Sequence, residues 1–73
     1  MKKQDGKIIV IDDEPGMREG IRRILEHQGY FVDTAQNGTE GIEKGTAQEF
    51  DLYIIDLKMP DVDGIEVLRT INK

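Results

Sequence analysis

The chain has 73 residues, room for no more than one small domain. Fifteen acidic against ten basic residues give a net charge of −5, a balance that repels nucleic-acid phosphates and argues against a direct nucleic-acid contact. Cysteine is absent, which removes disulfides, thiolate metal sites and thiol nucleophiles, and no apolar run nears the ~20 residues of a membrane span. The expected setting is a reducing cytoplasm.

Residues 1–6 read as a flexible polar leader, and 7–73 as the folded part. Ile8-Ile9-Val10-Ile11 is a β-branched run without alternation, the pattern of a strand buried on both faces of a parallel sheet. It stops at Asp12-Asp13-Glu14-Pro15. Pro15 suits a first helical turn, and Asp13 or Glu14 can accept its free N–H groups. A helix over 15–28 follows, with Met17, Ile21, Ile24, Leu25 and Gln28 on one face and Met17 read as core. Arg18, Arg22 and Arg23 fall on an exposed face with Glu19 and Glu26. Gly29 ends the helix. His27, near that end, reads as a solvated residue interacting with the helix dipole.

Residues 30–35 predict a second strand, mixed in character and therefore at a sheet edge. Asn37-Gly38 opens a turn into a helix over 38–46 that carries Ile42 inward and is weakened by its glycines. Residues 51–56 predict a third strand, apolar until Asp56, and 57–63 a loop broken by Pro60. A last amphipathic helix begins at Gly64, with Ile65, Leu68 and Ile71 on one side. Phe50 and the other scattered aromatics read as core or edge packing. The order β-α-β-α-β-α calls for an α/β fold, a parallel sheet layered by helices.

Two of these strands end in aspartate, the first at Asp12-Asp13 and the third at Asp56. Each alone is accounted for by helix capping or turn formation. Functional groups in an open α/β sheet gather at the carboxyl ends of strands, where successive crossovers diverge. If the first strand lies between the other two, three carboxylates converge there and repel one another. A hard divalent cation relieves that repulsion, and an oxygen-only donor set suits Mg²⁺. The constellation points to metal-assisted phosphoryl chemistry with one carboxylate as nucleophile.

Ile8-Ile9-Val10-Ile11-Asp12-Asp13-Glu14-Pro15, Asn37-Gly38, and the stretch from Asp51 through Asp56-Leu57-Lys58-Met59-Pro60-Asp61-Val62-Asp63-Gly64 resemble the receiver domain of bacterial two-component response regulators. The resemblance runs in register over nearly the whole chain. It implies a flavodoxin-like, doubly wound parallel sheet with strand order 2-1-3 over this segment. It implies Asp56 as phosphoacceptor and catalytic nucleophile, taking a phosphoryl group from a histidine kinase. It implies Mg²⁺ held by Asp12, Asp13, Asp56 and the backbone carbonyl of Lys58. The family fold has five strands and five helices, and this chain reaches the third strand and the start of the third helix. The switch Thr or Ser of the fourth strand and the lysine of the fifth are absent; Lys58 is not that lysine. The third strand is then expected to leave one edge for the missing half or a second copy, as a dimer, a swap or an aggregate, and phosphorylation is expected to be slow or absent, with its downstream relay lost. The output expected from the wording around Lys58 is transcription, with no direct nucleic-acid contact by this segment and no membrane.

Two other readings compete. A Mg²⁺-dependent aspartate-nucleophile phosphatase of the haloacid-dehalogenase type would put its nucleophile at Asp12, but Glu14 does not fit its Asp-x-Asp pattern. A non-catalytic interaction fragment would fold only with a partner. A dinucleotide fold lacks its glycine-rich turn, and an EF-hand at 59–70 would have Met59 and Thr70 in ligand positions.

Overall fold

The computed structural model describes residues 6–57 and 59–71. Six elements alternate along the chain: β1 (Lys7–Ile11), α1 (Pro15–His27), β2 (Phe31–Ala35), α2 (Gly38–Ala47), β3 (Leu52–Ile55) and α3 (Gly64–Ile71). The three strands form one parallel sheet in the order β2-β1-β3. The expected α/β architecture and the 2-1-3 order are therefore both found. The leader is shorter than expected at its inner end: Gly6 is buried, and its carbonyl accepts from the Phe31 N–H at 2.9 Å. The expectation for residues 1–5 lies outside the described residues.

β1 holds the molecule together because it is covered on both faces and paired on both edges. Ile8 and Val10 face α1 and join Val32, Ile21, Leu25, Tyr30 and Ile54. Ile9 and Ile11 face α2 and α3 and join Ala35, Phe50, Val67, Ile42, Tyr53 and Ile55. Complete burial stabilises each of these aliphatic side chains by about 1.5–3 kcal/mol. β-branched residues suit this place because a pleated surface packs them well. Phe50 and Tyr53 meet edge to face at 5.9 Å, so they are packing residues as expected.

Two helix faces differ from the sequence expectation. On α1, Met17 is 57% exposed and Ile24 65%, so Met17 is not core. The packed side is rotated toward Arg18, Ile21 and Leu25, because α1 rests over β1 and β2. Arg18 and Arg22 are half-buried as a result, not fully exposed. On α3 the buried stripe runs through Gly64, Val67 and Ile71, with Ile65 and Leu68 outward. The sequence carries two overlapping apolar stripes here. The one that packs is selected by where the chain enters the helix, with Gly64 pressed against the backbone of Asp56 and Leu57.

The helix ends follow local chemistry. Glu14, and not Asp13, caps α1, its Oε1 accepting from the Met17 N–H at 2.9 Å. Gly29 ends that helix at φ 99°, a backbone conformation costly for any side chain with a Cβ. Asn37 caps α2 through the Glu40 N–H, while Glu40 reaches back to the Gln36 N–H at 2.7 Å. Gly41 lies against Ile11, where a Cβ would meet the Ile11 side chain at 2.6 Å. The glycine that weakens α2 in isolation is what lets it approach β1.

Candidate functional site

The register of the sheet assembles the site. Ile11 of β1 pairs with Ile55 of β3, so the next residue on each strand leaves the sheet at the same level. The Asp56 N–H donates to the Ile11 carbonyl at 2.9 Å, and the Asp12 N–H donates to the Ala35 carbonyl at 3.1 Å. These bonds carry the parallel ladder past the last strand residues and anchor both aspartates by their backbones. One carboxylate oxygen from each of Asp12, Asp13 and Asp56 lies within 4.8 Å of the others. Asp12 and Asp56 are half-buried and Asp13 is exposed, so the cluster opens to solvent from one side.

The three side chains hold different local roles. Asp12 Oδ1 accepts from the Glu14 N–H at 3.0 Å, which fixes the turn between β1 and α1. Because Glu14 takes the cap of α1, the Asp13 carboxylate is not consumed by that helix. Arg18 reaches back from α1 and donates through Nη1 to the Asp12 carbonyl at 2.9 Å, tying helix and turn together. Arg22 is engaged elsewhere, between Glu19 and Glu26. That pairing holds the Glu19 carboxyl below its ordinary range and raises the Arg22 guanidinium.

Carboxylates gathered this closely disfavour one another's charge. A small divalent cation reverses the sign of that interaction. Hard oxygen donors from two strand ends, open to water on one side, fit Mg²⁺, which keeps several waters and binds through few carboxylates. All three aspartates named from the sequence are thus brought together. Lys58, whose carbonyl was expected to complete the donors, lies outside the described residues. His27 sits exposed at the end of α1.

Sequence reasoning missed one residue in the loop that leads from the site to α3. Asp61, in the loop after Asp56, accepts from the N–H groups of Gly38 at 3.0 Å and Thr39 at 2.9 Å, and from Thr39 Oγ1 at 2.7 Å. It also accepts from the Val62 N–H at 2.8 Å. These four donors hold its carboxyl well below the usual carboxylate range, the Thr39 hydroxyl first among them. The α2 cap was legible from Asn37 and Glu40, but a partner more than twenty positions away leaves no local signal.

The sequence profile of the response regulator receiver domain matches residues 8–73. The transcriptional regulatory protein ResD of Bacillus subtilis is 48% identical over 67 residues, covering 92% of this chain and 28% of ResD. The crystal structure of response regulator protein TrrA from Thermotoga maritima, in complex with Mg²⁺-BeF, superposes with a TM-score of 0.87 at 42% identity, covering 92% of this chain and 58% of TrrA. The chemotaxis protein CheY4 of Vibrio cholerae superposes with a TM-score of 0.87 at 31% identity, covering 92% of this chain and 56% of CheY4. The chain thus spans less than a third of ResD and little more than half of the TrrA and CheY4 chains. The profile match, the parallel 2-1-3 sheet and the aspartates at its carboxyl edge lead to one conclusion: this chain belongs to the response regulator receiver family of two-component signalling.

Proposed function

We propose that the chain carries the phosphoacceptor site of a receiver, with Asp56 as the nucleophile and Asp12 and Asp13 as the principal Mg²⁺ holders. The observation that carries this reading is the convergence of the three carboxylates within 4.8 Å at adjacent strand ends. The Lys58 carbonyl is assigned as a further metal oxygen by its place in the family motif. Bound Mg²⁺ would supply charge neutralisation for the phosphoryl oxygens during transfer. Asp56 attacks phosphorus while the P–N bond of a phosphohistidine breaks, leaving an acyl phosphate on Asp56 and the histidine on its kinase. The donor is a histidine kinase, the setting the cytoplasm, and the output transcription, in keeping with relatives such as ResD. The outer edge of β3 carries no strand among the described residues, and the remainder of a receiver or a second copy would pair there.

The engagement of Asp12 Oδ1 by the Glu14 N–H supports a holding role for Asp12 over a nucleophilic one. The test has two stages. Mg²⁺ titration followed by amide chemical shifts should move Asp12, Asp13 and Asp56 together, and an unresponsive cluster sinks the proposal. Prolonged incubation with acetyl phosphate and Mg²⁺, then borohydride trapping and peptide mapping, should place any acyl phosphate on Asp56 and lose it in Asp56→Asn. Trapping at Asp12, or labelling that survives chelation of the metal, overturns it.

A further inference from the structure

The loop between β3 and α3 is closed at its base and tied at its tip. At the base, a Cβ on Gly64 would stand 2.6 Å from the Asp56 carbonyl oxygen and 2.8 Å from Leu57 Cα, and the Gly64 N–H donates to the Leu57 carbonyl at 3.3 Å. The start of α3 therefore rests directly on the backbone of Asp56. Asp63 completes this base by accepting from the Ile65 N–H at 2.9 Å. At the tip, Asp61 grips the first turn of α2 through Gly38 and Thr39. The approach there is equally close: a Cβ on Gly38 would meet Val62 Cβ at 2.6 Å. Between base and tip, Met59 and Val62 pack on the core under α2 and α3.

We infer that Asp61 is a positioning residue for the carboxylate site, holding the loop that follows Asp56 against α2. The inference rests on the reading of Asp56, Asp12 and Asp13 as the metal site. Asn37 accepts from the Glu40 N–H and Glu40 from the Gln36 N–H, so the Gly38 and Thr39 N–H groups of the first turn are left for Asp61, which completes the cap from a distant segment. What Asp61 adds is a connection between two chain segments, one of which begins at the nucleophile. A loop held at only one end samples more backbone conformations, and its carbonyls and the Asp56 carboxylate are then less well aimed. Groups that orient metal ligands from behind commonly change metal affinity by roughly 10–100-fold when removed.

The experiment measures Mg²⁺ affinity of the 73-residue chain by calorimetry, beside thermal melts, for the parent, Asp61→Ala, Asp61→Asn and Thr39→Val. Asp61→Ala should weaken Mg²⁺ binding by about tenfold. Asp61→Asn keeps one carbonyl acceptor and should recover part of that loss. Thr39→Val keeps both backbone donors, leaves the fold intact and should fall between parent and Asp61→Ala. Affinities equal to the parent's in the folded variants, with only the melting temperature lowered, would make Asp61 a plain cap and overturn the inference. Should Asp61→Ala not fold, Asp61→Asn and Thr39→Val decide the matter by the same readout. A parent chain that does not bind Mg²⁺ would instead sink the assignment of the site itself.

Discussion

At Asp61 four donors converge on one carboxylate. Two backbone donors of α2, the Thr39 hydroxyl and the Val62 N–H all favour the ionised form, so its folded value lies below the ordinary 3.8. A carboxyl with a lowered folded value contributes stability that is present above its unfolded value and is lost as pH falls toward the folded one. The clamp should accordingly be at full strength at neutral pH and down to about pH 5, weakening only in the acid range below. Urea melts of the parent and Asp61→Asn should differ by a constant amount between pH 7 and 5, and the two should converge below about pH 4. A difference that grows on acidification, or that fades near pH 6, would mean another group controls the contact. The side chain is solvent-accessible, so the size of the difference should also fall with salt.

Among the elements, the loop and α3 depend on a single missing side chain. Gly64 leaves no space for a methyl group: backbone atoms of Asp56 and Leu57 and the Ile55 side chain all lie within 3.0 Å of where its Cβ would stand. Two of these neighbours are backbone and cannot swing aside. Gly64→Ala should therefore destabilise the chain by about 1–3 kcal/mol, the range for forcing extra atoms into a packed site. It should also displace Asp56 and weaken Mg²⁺ binding. A variant as stable and as tightly binding as the parent would show that α3 can lift away at no cost. Strand identities were legible because β1 and β3 are unbroken apolar runs ending in aspartate, and the burial of β1 on both faces follows from that pattern. The orientation of α1 and α3 was not legible. Met17 and Ile24 satisfy a helical stripe equally well, and only the placement of α1 over β1 and β2 turns them outward. Val67 was overlooked for the same reason, since Ile65, Leu68 and Ile71 also form an apolar stripe. The three site aspartates were readable from strand ends and motif, whereas Asp61 became visible only once the tertiary fold put it on α2.

At the scale of the whole molecule, a chain of 73 residues has little stability in reserve, because a domain this small buries only roughly 60% of its unfolded surface. The three site aspartates lie together at one end of the sheet. Occupancy of the cluster should therefore be read out in the melting temperature of the entire chain. A metal that binds only the folded form stabilises it by about 1.4 kcal/mol at ten times its dissociation constant. For a domain of this size that corresponds to a rise of roughly 6–11 °C. Sodium chloride at matched ionic strength should give a smaller rise, since screening reduces the repulsion without coordinating the oxygens. Asp56→Asn separates the two contributions. Removing one charge from the cluster should raise the melting temperature of the metal-free chain while flattening its response to Mg²⁺. Stabilisation without metal and loss of the metal response must appear together in this variant if the three carboxylates act as one site. An Asp56→Asn chain that is less stable than the parent without metal, yet still gains several degrees from Mg²⁺, would mean that Asp56 is a structural strand end and that the cation binds elsewhere.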